Sequence, residues 1–244
     1  MDRRRPGLAR AILEGAAIGG GFRMCFSPEA DVVAAAVIGA AGVDALRHVQ
    51  RRAQWPLAAL PILLAGHTFV EAFVWWSLRG SVGAPGQTVA TAIYLGFAFV
   101  VLPMYVPVTV LALERVPAHR RYEIVSLVAG ALCAVALAAT LIDGPVTANA
   151  DHHHIVYRVD LWAGIAVIVL YLLSTCGALL VSSLRFLRWF GAVNLAAVGL
   201  LAWFETDAVT SLWCAWAAVT SIAVAVHLRR QGDSRRSGAR ASAP

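Results

Sequence analysis

The chain has 244 residues, of which 59% are hydrophobic and only 14% charged, and its mean hydropathy is +0.71. Soluble domains carry about 25% charged residues, so this chain has too little polar surface for a water-facing globule and is predicted to be an integral membrane protein. All 20 basic residues are arginine, which excludes Schiff-base and P-loop lysine chemistry. Because the arginines flank apolar segments, the net charge of +6 predicts contact with lipid headgroups and no binding of nucleic acid.

Residues 1–23 form an N-terminal extension whose apolar part is interrupted by Glu14 and several glycines. That composition does not fit the apolar core of a signal peptide. Glycine codons begin with GG and so resemble a ribosome-binding site. The glycines at 19–21 lie shortly before Met24, where such a site would stand if translation began at Met24. Residues 1–23 are therefore predicted to be untranslated or disordered, with the mature chain beginning MCFSPEAD at Met24.

Seven apolar segments are long enough to cross the roughly 30 Å hydrocarbon core of a bilayer as helices of about 20 residues. The first begins with Ser27, Pro28 and Glu29, which are typical of a helix N-terminus. The predicted fold class is therefore all-α, an integral membrane bundle of seven transmembrane helices within a domain of residues 24–230. A disordered, basic cytoplasmic tail is predicted for 231–244. The seven segments lie near 28–48, 56–78, 88–113, 122–142, 160–183, 187–204 and 208–228.

The positions of the arginines predict the orientation of this bundle. Thirteen of the 20 arginines lie on the side that follows the first, third, fifth and seventh segments. The other seven lie on the opposite side, five of them in the N-terminal extension. Because cytoplasmic loops carry the excess of arginine, the N-terminus is predicted outside and the C-terminus inside.

In this topology most acidic residues, Asp31 among them, fall near the outer surface, beside three adjacent histidines in the segment ADHHHIVYRVD. These histidines and a neighbouring aspartate could bind a divalent metal such as zinc, although a closed zinc site takes about four ligands. Three interpretations stay open: a solvated or structurally hydrogen-bonded loop, a metal or cation contact, and pH sensing or catalysis. The candidate metal ligands are His152, His153, His154 and Asp151.

The second predicted helix carries His67 and Glu71, four residues apart and hence on one helix face. An ionisable side chain at this depth costs several kcal/mol unless it is paired or hydrated. Either Glu71 is protonated and hydrogen-bonded locally, or it lines a polar cavity that opens to the outer surface. Asn194 of the sixth segment lies at a similar depth and is a further candidate ligand.

Four stretches together resemble an uncharacterised family of bacterial multi-pass integral membrane proteins that begin with MCFS. They are MCFSPEAD, VEAFVW, SLWCAWAA and the run from His153 to Tyr157, and the resemblance extends from Met24 to about Arg230. It implies a helical protein of the bacterial plasma membrane and supplies no established activity. Matched position by position, it draws attention to Cys25, Glu71, His153, His154, Tyr157, Trp213 and Cys214.

Two functions fit these features. The leading one is a non-enzymatic multi-pass membrane protein whose outward-facing cavity of acidic residues and histidines binds a cation or small polar ligand, for sensing or transport. The alternative is an intramembrane metal-dependent hydrolase acting on lipid, although the seventh segment lacks the His-x3-His pair of known seven-helix hydrolases of that type. The lipid bilayer is the partner in both, and the sequence leaves the ligand and the oligomeric state open.

Overall fold

The computed structural model describes residues 27–151, 154–159, 164–204 and 209–241, which form helices and one β-hairpin. A π-helical turn over Phe97–Val101 joins α3 to α4, and a second over Leu173–Gly177 joins α6 to α7, so that the described helices form seven rods. The elements are α1 (Pro28–Arg47), α2 (Trp55–Leu78), α3 (Ala84–Gly96), α4 (Leu102–Leu113), α5 (Pro117–Asp143), β1 (Val146–Asp151), β2 (His154–Val159), α6 (Gly164–Leu172), α7 (Ala178–Val181), α8 (Arg185–Phe204) and α9 (Val209–Ala241).

The described helices coincide with the predicted apolar segments, which confirms the mostly helical fold. Many large apolar side chains point outward; Val135 is 70% exposed and Ile165 is 83% exposed. Such a surface is unfavourable in water and suits contact with lipid. Four rods in the described residues are long and apolar enough to cross a membrane: Arg52–Leu78, Ala84–Leu113, Pro117–Asp143 and Gly164–Val181.

Contacts pair the start of α1 with the end of α2 and the start of α5 with the end of α7, so the bundle has two ends. The hairpin end contains the start of α1, the end of α2 and the β-hairpin, and there Glu29 Oε1 lies 3.6 Å from Arg79 Nη1. The arginine-rich end contains the loops near residues 48–54, 114–116 and 182–184 and the later part of α9. At that end Arg229 donates to Asp44 Oδ1 at 2.6 Å. The two ends therefore bring together residues that are distant in sequence.

The β-hairpin is an element that the all-α prediction did not include. Its antiparallel register pairs Val146 with Val159 and Asp151 with His154. The second strand is rich in β-branched and aromatic residues, which favour extended structure. Ala148 and Ile155 are buried against α2 and α3, so the hairpin is packed onto the bundle rather than extending from it.

The last helix is longer than the sequence predicts. A disordered tail was expected from residue 231, whereas α9 continues to Ala241. Gln54 Nε2 donates to Gln231 Oε1 at 2.7 Å, and Gly232 lies against the side chain of Gln50. These contacts hold α9 against the α1–α2 loop beyond its apolar part, which explains why the helix does not end with the hydrophobic segment.

Candidate functional site

Close packing of α1 against α2 brings two acidic residues to the same level of the bundle. A Cβ atom at Gly42 would lie 2.6 Å from Ile62 Cδ1, and one at Gly39 would lie 3.7 Å from Ala65 Cβ. These contacts define the antiparallel register of the two helices. Asp31 precedes Gly39 by about two helical turns and Glu71 follows Ala65 by slightly less, so the two carboxyl groups lie at about the same level. They are close enough to interact electrostatically.

Both carboxyl groups are completely buried. Asp31 and Glu71 are each 0% exposed and rank among the largest fully buried side chains in the described residues. Neither carboxyl oxygen of Asp31 has a hydrogen-bond partner in the described part of the protein. Because nearly all buried polar groups in native proteins are hydrogen-bonded, a buried acid without a protein donor indicates a site for an ion, water or ligand.

Like the carboxyl oxygens of Asp31, further polar atoms on α2 and α3 are buried without a hydrogen-bond partner among the described residues. The Nδ1 atom of His67 and the Oγ1 atom of Thr68 are buried on α2, and neither has a partner among the described residues. The indole nitrogen of Trp75 on α2 and the hydroxyl of Thr91 on α3 also have no hydrogen-bond partner among the described residues. The unsatisfied polar atoms of α1, α2 and α3 thus lie in the half of the bundle nearer the hairpin end.

A stack of four rings connects this region to the hairpin. The imidazole of His67 lies between Tyr94 and Phe97, with ring centroids 4.1 Å and 4.7 Å away. Tyr94 stacks in turn on Tyr157 of β2, with a centroid distance of 4.8 Å. The structure therefore joins two features that are far apart in sequence, namely the His67–Glu71 helix face and the segment containing the triple histidine.

The hairpin places the predicted metal-binding segment at the same end as Glu71. Strand β1 ends at Asp151 and β2 begins at His154, and Gln87 Nε2 donates to the carbonyl of Ala148 at 3.4 Å. His152 and His153, and the side chains of Asp151 and His154, lie outside the described part of the structure. In the part that is described, no three His, Cys, Asp or Glu side chains converge on one metal position.

The other predicted ligands lie elsewhere or outside the described residues. Asn194 donates to the carbonyl of Phe190 at 2.7 Å and accepts from Trp216 Nε1 at 2.8 Å, so its amide serves the contact between α8 and α9. Trp213 and Cys214 belong to α9, but their side chains are outside the described part, as is Cys25. Of the predicted set, the structure brings together His67, Glu71 and Tyr157.

Asp31 and Tyr94 were not among the predicted site residues. The topology predicted from the arginines placed Asp31 at or near the outer surface, but it did not single Asp31 out from the other acidic residues there. The structure adds that Asp31 is buried and faces α2, close to Glu71. The sequence did contain a signal. The small and apolar residues of the buried face of α1 recur every three or four positions, and Asp31 belongs to the same row. The small and apolar residues are Ala34, Ala35, Ile38, Gly42 and Ala45.

A buried acid at the arginine-rich end has the opposite environment. Glu114 is 2% exposed, and its Oε1 accepts from Ser183 Oγ at 2.6 Å and from the N–H groups of Arg115 and Val116 at 2.9 Å and 2.8 Å. Its Oε2 accepts from the N–H of Ser183 at 2.7 Å and from Ser182 Oγ at 3.3 Å. With five donors, Glu114 joins the α4–α5 loop to the α7–α8 loop and has a structural role.

Comparison with known proteins places these features within a family. The model of a family of unknown function (DUF6629) matches residues 24–240, which include the acid pair, the ring stack and the hairpin. No curated protein and no solved structure matches the chain. The functional argument therefore depends on the residues of the chain itself.

Proposed function

The chain belongs to the family of unknown function DUF6629, and we propose that this member is a multi-pass membrane protein whose hairpin end binds a cation. The observation that carries this proposal is the buried carboxyl group of Asp31, which has no hydrogen-bond donor among the described residues and lies beside Glu71. Two carboxyl groups in an apolar bundle are unfavourable when both are ionised. A bound cation offsets that cost.

The available donors favour a hard cation. Asp31 and Glu71 supply carboxylate oxygens, and Thr68 lies one turn from Glu71 with its hydroxyl unsatisfied. Hard cations such as Na⁺, Mg²⁺ and Ca²⁺ are bound by oxygen ligands, whereas imidazole suits zinc and other transition metals. The ring of His67 is stacked between two aromatic rings, so it forms an apolar wall with one polar edge. The site would serve to sense or transport the cation.

The arginine distribution supports an orientation with seven spans and the hairpin end outside. The arginine-rich end faces the cytoplasm in this proposal, and the cation reaches Asp31 and Glu71 from the outer side of a bacterial plasma membrane. The charge bias carries this assignment, since anionic lipids and the insertion machinery both favour arginine on the cytoplasmic side. A reporter fused at the C-terminus should be active in the cytoplasm; an extracytoplasmic reporter would overturn the orientation.

Cation-dependent stability tests the site directly. The purified protein is melted in detergent with Na⁺, Mg²⁺, Ca²⁺ or Zn²⁺ added separately, because a ligand that binds the folded state raises the melting temperature. We expect one hard cation to stabilise the wild-type protein, and Asp31→Asn or Glu71→Gln to weaken its apparent affinity at least about tenfold, since each removes a charged ligand.

The matched control is Asp143→Asn, which removes an exposed carboxylate near the same end of the bundle. This variant should retain the cation response, because a surface charge contributes little to a buried site. The proposal fails if no cation stabilises the wild-type protein. It also fails if Asp143→Asn weakens the response as much as Asp31→Asn does.

A further inference from the structure

Glu123 of α5 is a further buried acid whose carboxyl group has no partner among the described residues. Its side chain is 0% exposed and ranks among the largest fully buried side chains in that part of the protein. Neither Oε1 nor Oε2 accepts a hydrogen bond there, and no described arginine or histidine forms an ion pair with it. Since buried acids in native proteins are paired or hydrogen-bonded, this carboxyl group indicates a ligand site.

Two contacts give the level of Glu123 in the bundle. A Cβ atom at Gly130 would overlap the carbonyl oxygen of Pro103 on α4. Glu123 precedes Gly130 by two helical turns on the same face of α5, so it is level with the last turn of α4. One turn before Glu123, His119 Nδ1 lies 2.6 Å from the carbonyl oxygen of Val181 at the end of α7. Glu123 therefore lies at the arginine-rich end, near the last turns of α4 and α7.

A second carboxyl group acts on Glu123 from the loop that follows α4. Glu114 accepts hydrogen bonds from five donors, so it is a carboxylate whose acceptor positions are occupied. It is close enough to Glu123 to interact electrostatically. Arg120, one turn before Glu123, does not offset this repulsion, because its Nη1 donates to the carbonyls of Leu111 and Glu114. Two acids in an apolar environment are unfavourable without an added positive charge.

The oxygen atoms near Glu123 suit a hard cation. Ser126 lies one turn further along α5 and is buried on the same face of the helix. The Nδ1 atom of His119 is engaged with a backbone carbonyl, so carboxylate and hydroxyl oxygens are the ligands that these side chains offer. Such oxygens bind Na⁺, Mg²⁺ and Ca²⁺. We propose that Glu123 binds a second hard cation, independently of the site at Asp31 and Glu71.

The two sites lie at opposite ends of the bundle. Asp31 and Glu71 lie in the half nearer the hairpin, whereas Glu123 lies near the loops of the arginine-rich end. A cation at Glu123 is therefore taken from the opposite side of the membrane, which is the cytoplasm in the proposed orientation.

Cation binding to a variant that lacks the first site tests this inference. In the Asp31→Asn, Glu71→Gln double variant the first site has lost both carboxylates. The purified full-length variant is melted in detergent with Na⁺, Mg²⁺ or Ca²⁺ added separately. We expect one of these cations to raise its melting temperature. Glu123→Gln in the same background should weaken the apparent affinity at least about tenfold, because it removes the charged ligand. Ser126→Ala, which removes a neutral ligand, should weaken it about threefold.

The matched control is Asp233→Asn, because Asp233 is an exposed acid at the same end of the bundle. This substitution should leave the affinity unchanged, since a surface charge contributes little to a buried site. The inference is overturned if no cation stabilises the double variant. It is also overturned if Asp233→Asn weakens the response as much as Glu123→Gln does.

Equilibrium dialysis of the otherwise wild-type protein separates this inference from the proposed function, and it applies even if the double variant does not fold. We expect the number of cations bound per molecule to fall in Glu123→Gln and also in Asp31→Asn. A fall in Asp31→Asn alone overturns the second site and supports the first. A fall in Glu123→Gln alone supports the second site and overturns the first, and a fall in neither overturns both.

Discussion

Asp31 and Glu114 are both buried acids in the same bundle, yet their surroundings differ completely. Glu114 accepts hydrogen bonds from five groups in two loops, whereas Asp31 accepts none from the described residues. Burial alone would rank them as equal candidates for function. The difference in hydrogen bonding separates a carboxylate that stabilises the fold from one that is available to a ligand.

Position along the helix explains this difference. Glu114 lies just beyond the end of α4, where backbone N–H groups of the loop and of the α7–α8 turn have no helical partner. Asp31 lies within α1, where the backbone N–H groups are committed to the helix. Its own N–H, for example, donates to the carbonyl of Ser27 at 3.1 Å. An acid inside a helix therefore depends on side chains of other helices or on a ligand.

The largest effect on stability is expected for Glu114→Ala. This change leaves two serine hydroxyls and three backbone N–H groups without their acceptor at a buried site. The expected loss in free energy of unfolding is about 3 kcal/mol or more, since each buried donor left unsatisfied costs about 1–3 kcal/mol. Unfolding in mixed micelles measures it. A loss below about 0.5 kcal/mol would show that water replaces the carboxylate and that Glu114 does not join the loops.

Lowering the pH is expected to reduce the stability of the protein by less than the Glu114→Ala substitution does. Burial alone would raise the pKa of Glu114, but hydrogen bonds from the Ser183 hydroxyl and from three backbone N–H groups outweigh it and lower the pKa to about 2, against an ordinary value of 4.5. An acid whose pKa is lowered by folding contributes stability that is fully present above its ordinary pKa. That contribution disappears as the pH falls from about 4.5 towards about 2.

Comparison of the wild-type protein with Glu114→Gln isolates this contribution, because the carboxamide does not titrate. The difference in free energy of unfolding should be constant from neutral pH to about pH 5 and should shrink below that. Denaturation at several pH values provides the measurement. A difference that stays constant down to about pH 2.5 would contradict the assignment of the low pKa to Glu114.

The sequence predicted the helices well because their signal is local. Apolar segments of about 20 residues and caps such as Ser27, whose Oγ accepts from the N–H of Ala30 at 3.2 Å, depend only on neighbouring residues. The β-hairpin was missed because six-residue strands are short against the dominant apolar pattern. Its position depends on packing of Ile155 and Ala148 against α2 and α3, which are distant in sequence.

Only part of the candidate site could be predicted from the sequence. His67 and Glu71 are recognisable because ionisable residues are rare inside apolar segments. Asp31 lies near the start of its helix, where a carboxylate has an ordinary explanation, and only the contact with α2 reveals its burial. The link from His67 through Tyr94 to Tyr157 is formed by three separate elements, so no spacing in the sequence could predict it.

The smallest effect on folding is expected for Asp31→Asn, and this makes it the sharpest test of the contrast with Glu114. In cation-free buffer the substitution removes a carboxyl group that accepts no hydrogen bond from the described residues, so the free energy of unfolding should change by less than about 1 kcal/mol. Glu114→Gln, the same chemical change at a carboxylate with five donors, should cost clearly more. Parallel denaturation of the two variants without added cation gives the comparison. If Asp31→Asn destabilises the protein as much as Glu114→Gln does, Asp31 has protein partners in solution and its role is structural.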